Sequence, residues 1–319
     1  MTTTTSKAPT PSGSSSGQTG TKSSGALKRS GDWARRAPLL PALILVIIVT
    51  QLPFVATIVI SFMDWNAYYP DRRGFAGIDN FTVVLSDPDA RHAIFITVVM
   101  TLAVVFIALV LGLVIALLLD RKFLGRGIVR TMMITPFLIV PVAAALLWKH
   151  ALYNPEYGLL NGLLRMFLGD SAPQVDWIGQ FPLLSVVFAI VWQWTPFMML
   201  ILLAGLQSRP LDVVEAARLD GASSWQIFTH MTLPHLRQYI ELAGLLGTIY
   251  VVQNFDHVFT ITSGGLGTAN LPYYIYQTFY TAQDYGRASA AGVVVVVLTI
   301  IVSTVALRTV FSLFKEQSR

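Results

Sequence analysis

Between Pro38 and the basic C-terminus, long apolar stretches alternate with short polar ones. Five of them, 37–63, 93–119, 131–148, 178–208 and 288–307, contain no Asp, Glu, Lys or Arg. Each is long enough to cross about 30 Å of hydrocarbon as an α-helix. A sixth stretch, 236–262, is also apolar but holds Glu241 near one end and Asp256 near the other. No run shows the ten-residue in-out alternation of a barrel strand, and a backbone in lipid must satisfy its own polar groups. The pattern therefore predicts an all-α membrane protein with six transmembrane helices.

Composition agrees. Of 319 residues, 54% are hydrophobic and only 12% charged, about half the charge of a typical soluble domain. Mean hydropathy is +0.61. Cysteine is absent, which removes disulfides, thiolate metal sites and cysteine nucleophiles. The histidines at 92, 150, 230, 235 and 257 have no metal-binding spacing, so no metal is expected. Residues 1 to about 25 are almost wholly Thr, Ser, Gly, Pro and Lys, too poor in apolar surface to fold. The expected organisation is a disordered cytoplasmic tail over 1–37 followed by a transmembrane domain over 38–319. The first apolar run is too long for a signal peptide.

The net charge of +5 is informative through its placement, which speaks for topology and against nucleic acid. With six spans, 16 of the 22 Lys and Arg fall in 1–38, 120–130, 207–237 and 308–319. By the positive-inside rule these segments, and both termini, face the cytoplasm. The loop Asp120 to Gly127 is then a basic anchor at the membrane surface. Prolines 53, 136, 141, 182 and 196 sit in or beside spans, where each is expected to free a carbonyl that a neighbour or cavity must accommodate.

The cytoplasmic loop 207–236 is the most informative segment. Glu215-Ala216-Ala217-Arg218-Leu219 is a run of good helix formers. Asp220-Gly221 reads as a stop with a left-handed cap, and Ser223 or Ser224 as the cap of a second helix that ends before Pro234. The result is an elbow whose Ala216, Ala217, Leu219 and Trp225 are more apolar than a solvated loop needs, fit for docking a partner or for lying on headgroups.

This elbow resembles the signature of permease subunits of ATP-binding-cassette (ABC) importers: Glu-Ala-Ala, three residues, Gly, nine residues, Ile, one residue, Leu-Pro. Glu215, Ala216, Ala217, Gly221, Leu233 and Pro234 keep every spacing, with Met231 replacing the Ile. The resemblance implies a type I importer permease fold with a core over about 90–310. It also implies that the elbow inserts into an ATPase subunit, with Gly221 allowing the bend and Glu215 meeting the partner. A second block, Asn254-Phe255-Asp256 through Gly264-Gly265-Leu266-Gly267 and on to Gly286-Arg287-Ala288, is similar to the carbohydrate, maltose-type branch. There the usual Gly-Gly-Gly-Pro is replaced, which bears on whether this outer loop reaches into the binding protein. Thr135-Pro136-Phe137, Asn154-Pro155-Glu156-Tyr157-Gly158 and Trp192-Gln193-Trp194-Thr195-Pro196-Phe197 look most like mannitol and sorbitol permeases.

A polyhydroxy solute needs hydrogen-bonding groups in place of its water and flat apolar faces over its C–H surfaces. Spans four and five supply both. The expected substrate-binding residues are Gln193, Trp194, Phe197, Tyr250, Gln253, Asn254 and Asp256. Pairing with His257 or another helix is an equally open role for Asp256. Trp148, Tyr153, Tyr273 and Tyr274 read as interfacial anchors. The expected protein is a non-catalytic permease subunit in the plasma (inner) membrane that imports a sugar or sugar alcohol. It binds no cofactor itself; ATP and Mg belong to the ATPase. The implied partners are a second permease subunit in a heterodimer, a dimer of cytoplasmic ATPase subunits, an extracytoplasmic solute-binding protein and membrane lipid. The alternative is an ion-gradient carrier with Asp256 and Glu241 as coupling carboxylates. That would need inverted repeats, which are not evident. An intramembrane enzyme would need a catalytic dyad or metal motif, and none stands out.

Overall fold

The computed structural model describes residues 37–169 and 171–315. The expected tail lies outside the described residues up to residue 36. The chain divides into two compact units, Met1–Val55 and Ala56–Arg319. In the first, the described residues form a short turn and most of helix α1 (Leu40–Ser61), with Leu43, Ile47 and Leu52 exposed.

The second unit is built on two long helices, α2 (Pro88–Asp120) and α3 (Pro182–Gln207), which pack along each other. Both begin with proline at a first-turn position, where its missing N–H costs nothing. Asp87 caps α2 by accepting from the Asp89 amide at 3.0 Å. Pro141 likewise starts α5 (Pro141–Leu146). Pro141 and Pro182 therefore free no helical carbonyl, contrary to expectation, whereas Pro53, Pro136 and Pro196 lie inside helices.

Close approach of α2 to α3 needs a residue without a side chain. A Cβ on Gly112 would lie 2.9 Å from both the Met198 Cβ and the Met199 backbone nitrogen. Around this crossing sit Met100, Val104, Val186, Ile190, Met198, Met199, Leu202 and Leu203, all nearly or fully buried.

Among the described residues, four helices are long and apolar enough to cross a membrane: Leu40–Ser61, Pro88–Asp120, Pro182–Gln207 and Tyr285–Val305, the last being part of α14 (Tyr285–Lys315). A fifth counts if α4 (Arg126–Leu138) and the Pro141–Leu152 segment, bent by 98°, form one broken span. The third expected span is thus not straight, because Pro141 holds Val140 in extended geometry and stops α4. The fifth expected span, 236–262, is also not one helix. Helix α11 (Leu233–Val252) carries His235, Arg237, Gln238 and Glu241 in its first half. After the break at 253–255, α12 (Asp256–Ile261) follows.

Among the described residues, three helical segments pass into wider π turns: Leu147–Leu152 after α5, Phe228–Thr232 after α10 (Ser224–Ile227), and Gln277–Thr281 after α13 (Leu271–Tyr276). Extended pairing among the described residues is confined to a two-residue antiparallel match of β1 (Met63–Asp64) with β2 (Gly74–Phe75) and an isolated antiparallel bridge between Asn66 and Asp284. Asn80, on the short helix Asp79–Ser86 that precedes α2, donates to the Ser61 and Met63 carbonyls and holds that hairpin.

Two expected interfacial anchors are buried instead. Tyr153 is 3% exposed and donates to the Ser185 carbonyl at 2.9 Å, and Tyr273 is 8% exposed. Their rings face other parts of the same chain, which one-dimensional hydropathy does not register. Tyr274 donates to the Asp87 carboxylate at 2.7 Å. Burial, and then the Asp87 carboxylate, push its phenol well above its ordinary value, so it remains a donor.

Replacing Gly112 by valine should force α2 and α3 apart and cost about 1–3 kcal/mol. Thermal unfolding of the detergent-solubilised protein checks this as a lower Tm. Gly162→Ala, at an exposed position with open space around it, should be neutral or slightly stabilising.

Candidate functional site

The 207–236 segment folds as an elbow. Helix α9 (Leu211–Leu219) has Asp212 in its first turn and Arg218 in its last, both favourable to the helix dipole. It ends in a Schellman turn: the Gly221 amide donates to the Arg218 carbonyl at 3.1 Å and the Ala222 amide to Ala217 at 2.9 Å. Gly221 has φ +87°, the left-handed conformation that glycine adopts without strain. Ser223 then forms a capping box with Gln226, each side chain accepting from the other's backbone amide.

The second arm does not end before Pro234, as expected. It runs through α10 and the π turn Phe228–Thr232 into α11. The Leu233 amide donates to the Phe228 carbonyl, so the wider turn lets Pro234 enter without the clash an α-helical ring would meet. Glu215, Ala216, Gly221 and Pro234 are exposed, and Ala217 and Leu233 half-buried. Leu219 is 89% and Trp225 71% exposed. The elbow therefore presents a firm, partly apolar knob.

The seven expected substrate residues fall into three places. Trp194, Phe197 and Tyr250 come together in an aromatic cluster with Phe137. Trp194 lies 5.6 Å from Phe137, 5.6 Å from Phe197 and 5.3 Å from Tyr250, ring centre to ring centre. Phe137 stacks on Phe197 at 5.3 Å. Trp194 and Phe197 stand beside Pro196, whose missing N–H leaves the Trp192 carbonyl without its helical donor. Tyr250 is 56% exposed, so the cluster opens outward. Phe137 lies in the Thr135-Pro136-Phe137 motif but is not among the expected contacts; an aromatic beside a proline inside an apolar run is the signal that points to it.

Gln193 points elsewhere. It is buried and donates to the Ile139 carbonyl at 2.7 Å, at the break between α4 and α5. Gln253 bonds back to the Ile249 carbonyl at 3.1 Å and borders a separate groove of about 680 Å³ with Leu245, Pro272, Val296 and Ser303. Asn254 and Asp256 occupy the interruption after α11. The Asn254 side chain meets His257 Nδ1 at 3.1 Å, and the Asn254 backbone carbonyl accepts from the Asn270 side chain at 2.5 Å. Asp256 is half-buried and begins α12, favourable to that helix's dipole.

Two basic side chains make polar contacts that the linear pattern does not signal. Lys149, in a π turn, donates to the Thr260 carbonyl at the end of α12 at 2.7 Å. Arg209 donates to Asp120 at 2.7 Å and to Thr232 at 3.1 Å. Glu241, the other carboxylate of the ion-gradient alternative, is paired with Arg237 at 2.8 Å. Among the described residues no three His, Asp or Glu side chains converge as metal ligands.

Several helices of membrane-crossing length, a sharply bent helix pair and a projecting elbow are the features of a multi-pass membrane protein. Residues 95–314 match the family described as "Binding-protein-dependent transport system inner membrane component", and the chain belongs to that family. It is a non-catalytic ABC permease subunit of the inner membrane, and ATP is hydrolysed by a separate ATPase. It is 36% identical over 266 residues to the trehalose/maltose transport system permease protein MalF of Thermococcus litoralis, covering 82% of this chain and 88% of that one. It is 36% identical over 256 residues to the trehalose transport system permease protein SugA of Mycobacterium tuberculosis, covering 80% and 81%. A subunit of a bacterial ABC transporter that imports the acidic polysaccharide alginate shares the fold, with TM-score 0.76 and 21% identity over 90% of this chain and 98% of that one.

Gly221→Ala should leave room for the methyl group, since nothing lies within 4 Å of that position, yet strain the turn by roughly 1–2 kcal/mol. Hydrogen exchange at the Gly221 and Ala222 amides should then quicken by roughly 5- to 30-fold. Gly221→Asn should show a smaller change.

Proposed function

We propose that the chain is one of two permease subunits of an importer that carries a sugar or sugar alcohol into the cytoplasm. The observation that carries the coupling half of this reading is the elbow. A Schellman turn and a capping box hold it rigid, while Glu215, Ala216, Leu219 and Trp225 project from it. A rigid knob transmits displacement, whereas a floppy loop absorbs it. Six spans are proposed, with the bent 126–152 segment as the third and α11 with α12 as the fifth, and with both termini cytoplasmic. The ATPase pair, with its ATP and Mg, would grip the elbow from the cytoplasm. A binding protein would deliver solute to the opposite face, and the second permease would complete the pathway.

The solute class rests on the aromatic cluster and on the relatives named for trehalose and maltose transport. Trp194, Phe197, Tyr250 and Phe137 offer faces for sugar C–H surfaces. Gln253, Asn254 and Asp256 are the proposed hydrogen-bonding residues, and Gln193 is proposed to act by shaping the break behind the cluster. Choice of a sugar alcohol over a sugar rests on the motif resemblance alone. Closure of the ATPase pair would move the elbow and rock the helices between inward- and outward-open states around this site.

Uptake of radiolabelled trehalose, maltose and mannitol into vesicles holding the assembled importer tests the reading. ATP-dependent uptake that persists when proton and sodium gradients are collapsed is the expected result; uptake that follows a gradient instead sinks it. Gly221→Trp should abolish uptake and substrate-stimulated ATP hydrolysis together. Trp194→Ala should raise the half-saturating solute concentration by roughly 2- to 13-fold, the loss of about 0.5–1.5 kcal/mol of stacking.

A further inference from the structure

The ends of three elements meet at one guanidinium. Asp120 is the last residue of α2, Arg209 lies in the short link between α3 and the elbow, and Thr232 closes the π turn by which the elbow leaves for α11. Arg209 Nη2 donates to Asp120 Oδ2 at 2.7 Å and Nη1 to Thr232 Oγ1 at 3.1 Å. The Arg209 and Asp120 side chains are only 19% and 20% exposed. The contact is therefore largely withdrawn from water, unlike an open surface ion pair that salt would screen. Beside it, Ser208 Oγ meets His235 Nε2 at 3.2 Å and the Tyr239 hydroxyl at 2.8 Å, and His235 Nε2 meets the Gly205 carbonyl at 3.1 Å. Those bonds tie the end of α3 to α11. The Asp120 carboxylate has its one hydrogen-bonding partner among the described residues in Arg209.

We propose that Arg209 and Asp120 form the strut by which movement of the elbow is passed to α2. Arg209 holds both ends of the elbow, through its own position in the entry link and through Thr232 in the exit. Asp120 extends that hold to a helix which makes no other polar side-chain contact with the elbow among the described residues. Helix α2 then carries the displacement inward, because Gly112 sets it directly on the Met198–Met199 backbone of α3, one turn from the aromatic cluster. Arg209 and Asp120 are positioning residues in this scheme and touch neither solute nor nucleotide. The inference rests on the importer reading above.

The test measures solute moved per ATP hydrolysed in vesicles holding the whole importer. Asp120→Ala should keep ATP hydrolysis within about twofold of wild type while solute moved per ATP falls at least about tenfold. The native chain has no cysteine, so Asp120→Cys with Arg209→Cys gives a unique pair when the other subunits are free of reactive thiols. Untreated, that variant should be uncoupled; joined by a short bifunctional thiol reagent, it should recover most of its coupling. A variant that assembles poorly is replaced by Arg209→Lys, which keeps the charge but cannot span both partners, and an intermediate ratio is expected. A wild-type ratio in Asp120→Ala or Arg209→Lys, or no recovery on cross-linking, overturns the strut. Absence of ATP-dependent uptake by the unaltered importer overturns the importer reading itself and the strut with it.

Discussion

Every interruption of a helix in an apolar surrounding leaves carbonyls and amides that water cannot reach, and each costs free energy unless a side chain supplies the partner. This constraint organises the bundle. The break between α4 and α5 is met by Gln193 on the Ile139 carbonyl. Lys149 meets the Thr260 carbonyl at the end of α12, and Asn270 meets the carbonyl of Asn254 after α11. Thr97, inside α2, accepts from the Leu271 amide at 2.8 Å where α13 begins. Each of these breaks is stitched to a neighbouring helix.

The three π turns belong to the same economy of hydrogen bonds. Each continues a short helix for about one more turn with wider spacing, which shifts the face that follows. At Phe228–Thr232 this admits Pro234 and makes the elbow continuous with α11. A displacement of the elbow can thus reach α11 directly along the backbone, whereas α2 can follow only through side chains. That difference is why a single arginine between Asp120 and Thr232 matters more there than an ion pair of its kind ordinarily would.

The aromatic cluster shows the complementary principle. Trp194, Phe197 and Phe137 pack edge-to-face and stacked, so each supports the others' orientation. Tyr250 closes one side while remaining open to its surroundings. Gln193 sits one residue from Trp194, yet the helix turns it through about 100° to the opposite task, holding the break. Gln253, three residues beyond Tyr250, borders a different groove, on the side of α11 that carries Leu245 and Ile249.

Much of this was legible in the linear pattern. The uncharged runs locate the four long spans, since burying apolar length in hydrocarbon leaves little choice of element. The elbow's turn was readable at Gly221 and its cap at one of Ser223 and Ser224, because left-handed geometry and N-capping depend on residues adjacent in the chain; the structure selects Ser223. The folded arrangement decided the rest. Whether Tyr153 and Tyr273 anchor at an interface or fill the core, whether Pro141 interrupts or begins a helix, and which of Gln193 and Trp194 reaches the cluster depend on helices distant in sequence. The meeting of Arg209 with Asp120 and Thr232 depends on them too. Local preference and hydropathy are properties of neighbours along the chain, whereas hydrogen-bond satisfaction and close packing are properties of neighbours in space.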